Sequence, residues 1–442
     1  MNWKTLLSLK REGQKVGVSA ESSRSAFEQD YDRIIFSHPF RRLQDKTQVH
    51  PLPEHDFVHT RLTHSLEVSS VGRSIGKRVG EVILQRHPEL KAEFSLFDIG
   101  AIVAAASLAH DLGNPPFGHA GEDAISDFFL QHQSGLFFKN IVNESEWHDL
   151  IQFEGNAQGF RILNKKQYGL RLTYASLGAF TKYPCPAFFP ARDKKKKSQK
   201  KFGFFQSEKE PFEELARDLG LIENEPGSFC RHPLAFLVEA ADDICYSIID
   251  LEDGCRLGLI SFQETVELLS GILRNKLDKN KLSGEADLNQ KLGTLRAMAI
   301  GELIDACTEV FLTNEEAILA GSFDKAITDL CHYRDTLKKI TEVSIEKIYH
   351  SKHVVEIEAS GHQILPGLLE EFTQTGFYLQ EQKKSRKYGN LLLLLPPETI
   401  SLIKSKPDNA YHMLRCIIDF VSGLTDRHAL SLYRKIKGIS LT

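Results

Sequence analysis

The chain has 442 residues, of which 41% are hydrophobic and 26% are charged, and its formal net charge is −4. These values exclude an intrinsically disordered chain, because disorder goes with low hydrophobicity and high net charge. The near-neutral charge balance gives no indication of a dedicated nucleic-acid or membrane-surface binder. At roughly 150 residues per domain, the length corresponds to about three domains or to one large domain with insertions.

The cysteines and the apolar runs indicate the compartment. The seven cysteines are widely spaced and form no CxxC pair, which disfavours a disulfide framework and a zinc–thiolate site. The N-terminus carries no apolar signal segment, and the longest apolar runs lie near 98–109 and 391–395. Both are shorter than the about 20 residues that span a bilayer. The sequence therefore predicts a cytoplasmic protein without a membrane partner.

Helical periodicity dominates the first half of the chain. Residues 61–86 carry apolar side chains at three- and four-residue steps, and residues 97–112 form an apolar segment too long for a buried strand. The second segment ends at Gly113, before two prolines that cannot continue a helix. Another helix is expected to begin near Ala120.

The second half also reads as helical. Helices are predicted for residues 233–252 and for most of 258–350 and 407–437. The best strand signals are Val354–Ile357 and residues 389–395. The predicted fold class is mainly α, with few short strands.

One segment differs in composition from the rest. Asp193–Lys201 reads DKKKKSQKK, with six lysines in nine residues. The favoured interpretation is a solvated, mobile loop, since charge runs usually lie in water. The alternative is a patch for phosphate-bearing partners such as single-stranded nucleic acid.

Several ionisable residues lie in apolar helices. His110 and Asp111 end the 97–112 segment, Asp242 and Asp243 interrupt an apolar helix, and His64 lies beside the apolar stripe of residues 61–86. Such groups are costly to bury unless they are paired or bound to a metal. Adjacent helical residues point about 100° apart, so only one of the two aspartates can face a given site. Taken singly, each has an ordinary explanation as a helix end, a salt bridge or a core histidine.

Together, four of these residues suggest a metal centre. His64, His110, Asp111 and Asp242 supply two imidazoles and two carboxylates, a mixed donor set suited to Mn²⁺, Mg²⁺, Fe²⁺, Co²⁺ or Zn²⁺. An ion held in this way lowers the pKa of a water that can attack phosphorus.

The segments around these residues carry a family resemblance. They are Phe40–Val49, Thr60–Val68, His110–His119, Phe153–Gln158 and Glu239–Tyr246, with a looser match at Ser422–Asp426. In this order they resemble the HD-domain metal-dependent phosphohydrolases, and specifically the bacterial deoxyguanosine triphosphate triphosphohydrolases.

The resemblance implies an organisation for the chain. Residues 1–255 would form a helical HD-type core that includes the lysine-rich loop near 193–201. Residues 256–442 would form a helical region that packs on this core and contributes to oligomerisation. Members of the family assemble into symmetric homo-oligomers, often hexamers, and some respond to a second nucleotide.

The resemblance also assigns roles to residues. His64, His110, Asp111 and Asp242 would bind the divalent ion, with Mn²⁺ or Mg²⁺ favoured. His119 and Glu122 would form the catalytic pair, and their three-residue spacing places them on one helix face. The substrate would be bound by Gln48, Arg61, Lys182, Tyr183, Tyr246 and Asp250. In this family the glutamine at the position of Gln48 binds the sugar 3′-hydroxyl. The tyrosine at the position of Tyr246 packs where a 2′-hydroxyl would sit.

The implied reaction is hydrolysis of a deoxynucleoside triphosphate, preferentially dGTP, at the α-phosphorus. The products would be the deoxynucleoside and tripolyphosphate. His119 would assist either the attacking water or the leaving 5′-oxygen. Two alternatives stay open: an HD phosphohydrolase of another nucleotide, and a regulator that senses nucleotides or single-stranded nucleic acid.

Overall fold

The computed structural model describes residues 1–13, 24–48, 59–165, 168–276, 287–383 and 385–440. Two parts of the predictions lie outside these residues: Val49 of the Phe40–Val49 segment, and residues 277–286 of the predicted helical region 258–350. The α-helices are Trp3–Leu6, Ala26–Ile35, His38–Arg42, Arg61–Arg86, Leu96–Ala109, Gly118–Gln131, Gln133–Leu136, Glu144–Ile151, Gly155–Asn164, Tyr174–Phe180, Lys209–Leu219, Pro233–Arg256, Phe262–Leu273, Leu288–Thr313, Glu315–Leu319, Arg334–Ser344, Lys352–Gln380, Arg386–Leu392, Pro397–Ser405, Ala410–Ser422 and Asp426–Ile436. Short 3-10 segments are Leu43–Asp45, Pro88–Ala92, Phe137–Asn140, Lys197–Gln199, Gln206–Glu208 and Arg274–Lys276, and Ile345–Tyr349 is a π-helical turn. The strands Glu223–Glu225 and Ser228–Phe229 form an antiparallel hairpin.

The prediction of a mainly α fold is confirmed, but both predicted strands are wrong. Val354–Ile357 lies inside the Lys352–Gln380 helix. Residues 389–395 lie in the Arg386–Leu392 helix and the turn that follows it. No helix among the described residues is both long and apolar enough to cross a membrane.

Packing explains why these two segments are helical. After the β-branched residues of the first segment, Ile364, Leu368 and Phe372 recur every four residues and are buried. In the second segment Leu391 and Leu395 are buried four residues apart. The helical spacing of buried side chains outweighs a β-propensity that is weak and depends on context.

Two antiparallel helices, Arg61–Arg86 and Leu96–Ala109, form the scaffold of the site. Their backbones approach closely, because a Cβ atom on Gly76 would lie only 3.0 Å from the Cα of Gly100. The start of the first helix consequently lies beside the end of the second, and both ends carry predicted metal ligands.

The Pro233–Arg256 helix packs against both scaffold helices. Its two adjacent aspartates point to different surroundings, as their angular separation requires. Asp242 faces the histidines of the predicted metal centre. Asp243 accepts a hydrogen bond of 2.6 Å from the hydroxyl of Thr328.

Apolar side chains form two cores. The first reaches from Trp3 to Ile348 and includes side chains of the two scaffold helices and of the Pro233–Arg256 helix. The second joins side chains between Phe117 and Phe205 to side chains between Ile364 and Ala429. The division into 1–255 and 256–442 stays a prediction, and the first core itself continues past residue 255.

Asp426 connects the C-terminal region to two loops of the site. Its buried carboxylate accepts hydrogen bonds from the backbone N–H groups of Thr47 at 3.0 Å and Phe117 at 3.1 Å, and from the Thr47 hydroxyl. Phe117 adopts a left-handed φ of 66°, which is unusual for a residue with a side chain. Asp426 therefore stabilises the turn that begins the Gly118–Gln131 helix.

Lys46 reinforces this connection. Its ammonium group donates to the carbonyl oxygens of Asn114 at 2.5 Å and Ser422 at 2.8 Å. Burial lowers the pKa of Lys46 to about 7. The Ser422–Asp426 segment thus contacts the loop of the HD motif directly.

We expect Asp426→Ala to lower the unfolding free energy by about 3 kcal/mol, because it leaves buried donors without an acceptor. The measurement is thermal or urea unfolding of the full chain. Asp408→Ala is the matched control, because Asp408 is exposed in the same region and surface changes usually shift stability by less than about 0.5 kcal/mol. Equal stability of the two variants would contradict the role of Asp426.

Candidate active site

The four predicted metal ligands lie together. His64 Nε2 is 3.2 Å and His110 Nε2 is 3.5 Å from the same oxygen, Asp242 Oδ1. Asp111 Oδ1 is 3.5 Å from His110 Nε2. Candidate ligand atoms of His64, His110 and Asp111 all lie within 4.8 Å of one another. The donor chemistry fits a divalent ion that accepts nitrogen and oxygen ligands.

Neighbouring groups orient two of these ligands. His110 Nδ1 lies 2.7 Å from the carbonyl oxygen of Ser107, which can only accept, so Nδ1 carries a proton and Nε2 faces the cluster, where it can bind an ion once it is deprotonated. The carboxylate of Asp111 accepts from the Arg61 guanidinium at 2.8 Å and from the side-chain amide of Asn114. Such outer hydrogen bonds hold ligands in the geometry that an ion requires.

Both aspartates are in the ionised form that binds metal. Burial by itself would raise the pKa of Asp111, but Arg61 and then His110 outweigh it and hold the pKa below its usual range. Loss of solvent would likewise raise the pKa of Asp242. There His110 and His64 outweigh the effect and hold the pKa well below its usual range.

His119 and Glu122 form a hydrogen-bonded pair on the Gly118–Gln131 helix. His119 Nδ1 is 2.8 Å from Glu122 Oε2, and this contact raises the pKa of His119. The other oxygen, Glu122 Oε1, accepts a 2.6 Å hydrogen bond from the Gly155 N–H. A Cβ atom at position 155 would lie 2.8 Å from that oxygen, so the contact requires glycine. Glu122 is buried, whereas 81% of the His119 side chain is exposed.

A cavity of about 480 Å³ contains both constellations. His110, Asp111, Asp242 and His119 all line it. Five of the predicted substrate-binding residues also line it, namely Gln48, Arg61, Lys182, Tyr183 and Tyr246. His64 is buried beneath the cluster, with 1% of its surface exposed.

Lys182 is held at the cavity wall by a carboxylate. Its Nζ lies 3.3 Å from Glu239 Oε1, and the other Glu239 oxygen accepts from Arg231 at 2.7 Å. Burial would lower the pKa of Lys182, but Glu239 outweighs it and the pKa is raised. Lys182 is therefore a permanent cation beside the cluster.

Asp250 is placed differently from the other predicted substrate-binding residues. It is buried and accepts a 2.6 Å hydrogen bond from the hydroxyl of Tyr349, and burial raises its pKa to about 7. The ring of Tyr349 stacks on that of Tyr246, with centroids 5.5 Å apart and planes inclined by 25°. Asp250 thus contacts the cavity wall through Tyr349.

The sequence reading missed Lys201. Its Nζ lies 3.1 Å from Glu154 Oε2 and 3.5 Å from Glu122 Oε2, and it lines the cavity. The expected solvent exposure of residues 193–201 holds for Lys194, Lys195 and Lys200, whereas Ser198 and Gln199 are buried. No signal in the sequence separates Lys201 from the other lysines of the run.

Residues of the C-terminal half were also missed. Tyr349, Val354 and Glu358 line the cavity, although they are more than 100 residues from the last predicted ligand. The packing of the Lys352–Gln380 helix on the Gly118–Gln131 helix brings Val354 and Glu358 there, whereas Tyr349 belongs to the π-helical turn, which packs on the Pro233–Arg256 helix. Glu154 and Asn156 also line the cavity; they lie in a matching segment but had no assigned role.

Comparisons with known proteins identify the relatives of this chain. The HD domain model matches residues 61–149, and the phosphohydrolase-associated domain model matches residues 331–435. The chain is 43% identical to a deoxyguanosinetriphosphate triphosphohydrolase-like protein of Synechocystis sp. over the full length of both chains. It is 40% identical to a protein with the same description from Pseudomonas aeruginosa, covering 100% of this chain and 99% of the other. It is 32% identical to the deoxyguanosinetriphosphate triphosphohydrolase of Yersinia pseudotuberculosis, covering 93% of each.

The chain belongs to the deoxyguanosinetriphosphate triphosphohydrolase family. It is therefore a hydrolase, an HD-domain nucleotide triphosphohydrolase. The HD match contains His64, His110 and Asp111, whereas Asp242 lies beyond it. The triphosphohydrolase cavity is consequently built from both matched segments and from the chain between them.

Asp242→Asn should weaken Mn²⁺ binding by at least about tenfold, since even changes outside the ligand shell of a metal site cost 10–100-fold. Calorimetric titration of the metal-free protein measures this. The matched control is Asp243→Asn, which faces Thr328 and should bind the ion as the parent does. Equal affinity of the two variants would contradict the assignment of Asp242.

Proposed function

We propose that this protein is a metal-dependent deoxynucleoside triphosphate triphosphohydrolase that prefers dGTP. Water would attack the α-phosphorus, the bond to the 5′-oxygen would break, and deoxynucleoside and tripolyphosphate would leave. The observation that carries the proposal is that three of the four predicted metal ligands, His110, Asp111 and Asp242, line one cavity together with His119. The printed names of the relatives support the substrate class.

The charges of the cavity suit a triphosphate. Arg61, Lys182 and Lys201 line it, at 2.8–3.3 Å from Asp111, Glu239 and Glu154. These carboxylates hold the cations in place before substrate arrives. Preorganised cations are the usual means of stabilising the charge of a transferring phosphoryl group.

A divalent ion, Mn²⁺ or Mg²⁺, would be held by His64, His110, Asp111 and Asp242. When bound, it would supply Lewis-acid stabilisation of phosphate charge and a water of lowered pKa. His119 would donate its proton to the leaving 5′-oxygen. Glu122 orients the imidazole and stabilises its protonated form.

The sugar would pack on Tyr246 and Tyr349, whose rings stack on each other in the cavity wall. A deoxyribose would fit against this surface, whereas a 2′-hydroxyl would be excluded. Gln48 Oε1 is buried and has no hydrogen-bond partner within the described part of the chain. A buried acceptor of this kind fits the 3′-hydroxyl of the sugar.

The deciding experiment is incubation of the purified protein with dGTP and Mn²⁺. Products are resolved by phosphorus NMR and nucleoside chromatography, with the other dNTPs and GTP as comparisons. Deoxyguanosine and tripolyphosphate are expected. Release of orthophosphate or pyrophosphate would refute attack at the α-phosphorus, and faster turnover of another nucleotide would refute the dGTP preference.

His119→Ala should reduce kcat by about 10²–10⁴-fold, the usual contribution of a general acid or base. Mn²⁺ affinity should stay unchanged, because His119 is not one of the four ligands. Turnover near the parent rate would contradict the assignment, and lost metal binding would indicate a damaged site.

The pH profile tests the direction of proton transfer. The hydrogen bond to Glu122 raises the pKa of His119 above its ordinary value of about 6.5, so kcat/KM should fall as pH rises through this raised pKa. Glu122→Gln removes the carboxylate, lowers that pKa and should move the alkaline limb to lower pH. A limb that rises in the same range would show that neutral His119 is the active form.

The resemblance implies an assembly, and the cysteine spacing and short apolar runs of the sequence predict the location. We propose a homo-oligomer in the cytoplasm, and a second nucleotide or a single-stranded nucleic acid as an alternative partner. Sedimentation of the purified protein, with and without dNTPs, tests the assembly.

A further inference from the structure

A second cavity adjoins the candidate active site. It has a volume of about 460 Å³ and shares two lining residues, Glu154 and Lys201, with the first cavity. The ion pair between them, at 3.1 Å, lies at the junction. Asp123 and Asp127, from the helix that carries His119, also line the second cavity.

The lysine run divides into groups with different surroundings. Lys196 and Lys197 face carboxylates elsewhere, at 3.7 Å from Glu225 and 3.0 Å from Asp329. Lys201 belongs to the junction of the two cavities.

The remaining lysines have no such partners. Lys194 and Lys200 line the second cavity and are exposed, and neither has an ion pair with any described residue. Lys195 is exposed and lines neither cavity.

Arg192 adds a third cation to the second cavity. Its guanidinium donates to the carbonyl oxygens of Gln199 at 2.8 Å and Lys200 at 3.2 Å. Carbonyl oxygens fix its position without neutralising it. Arg192, Lys194 and Lys200 therefore present positive charges that form no ion pair with a described carboxylate, next to the candidate phosphate site.

Carboxylates in the same cavity limit the kinds of anion that fit. Asp123 and Asp127 lie one helical turn apart and would repel a bare polyanion. They would tolerate a polyphosphate that carries a divalent ion, since Mg²⁺ is commonly held by one or two carboxylates together with phosphate oxygens. His362 also lines the wall.

We propose that this second cavity binds linear polyphosphate as its divalent-ion complex, with Lys194 and Lys200 contacting the phosphates. The origin of this polyphosphate rests on the proposed function: if the protein hydrolyses dGTP as proposed, the ligand is its own product, tripolyphosphate. Lys201 is common to both cavities, so the product can pass along it from the first to the second. The lysine run is then an extension of the active site.

The test is calorimetric titration of the full chain with tripolyphosphate in excess Mg²⁺. Two binding events are expected for the parent, one of which a saturating non-hydrolysable dGTP analogue suppresses. The Lys194→Ala/Lys200→Ala variant should keep the suppressible event and bind the other about five- to tenfold more weakly, as expected for loss of two exposed charge contacts. Lys195→Ala, which removes a charge from the same run, should behave as the parent.

Several outcomes would overturn the proposal. One is a single binding event that the non-hydrolysable dGTP analogue suppresses. Another is that Lys195→Ala weakens the second binding event as much as the double variant does, which would indicate only general charge attraction. Tighter binding without Mg²⁺ would contradict the role of the divalent ion. The titration measures binding without turnover, so it tests the polyphosphate site whatever products the protein releases from dGTP. Failure of the proposed function would show only in the product assay.

Discussion

The close antiparallel packing of the Arg61–Arg86 and Leu96–Ala109 helices is the constraint on which the site depends. A Cβ atom at Gly76 would lie 3.0 Å from the Cα of Gly100, and one at Gly100 would lie 2.7 Å from Lys77 Cγ, so a side chain at either position would crowd this close approach. This approach sets the beginning of one helix against the end of the other, where His64 and the His110–Asp111 pair are located. The position of the metal cluster is thus a consequence of backbone packing.

The C-terminal region completes what the scaffold begins. Asp426 holds the turn before His119, and Lys46 bridges the HD loop to the same C-terminal segment. Tyr349 reaches the cavity from this half of the chain and stacks on Tyr246. The segment that matches the phosphohydrolase-associated domain therefore lines the candidate active-site cavity and also packs against the rest of the chain.

Charge in the site is organised as neighbouring opposite pairs. Arg61 contacts Asp111 and Lys201 contacts Glu154, so each cation is oriented by a carboxylate. The contact with Arg61 also helps to hold the pKa of Asp111 below its usual range. The second cavity differs, because Lys194 and Lys200 lack such partners within the described residues, and this contrast supports our proposal of a polyphosphate site.

The sequence by itself predicted the helical class from the spacing of apolar residues within helices, and it predicted the family, the four candidate ligands and the His119–Glu122 pair from motifs that resemble a known family. Tertiary structure decided which residues from distant parts of the chain come together. It brought Lys201, alone among the lysines of its run, and Tyr349 to the candidate active-site cavity, and it set the contacts of Asp426. It also overrode the strand signal at Val354–Ile357, because the apolar positions that follow are buried at helical spacing. Local patterns record which residues can share a face, whereas the packing of whole helices decides which faces meet.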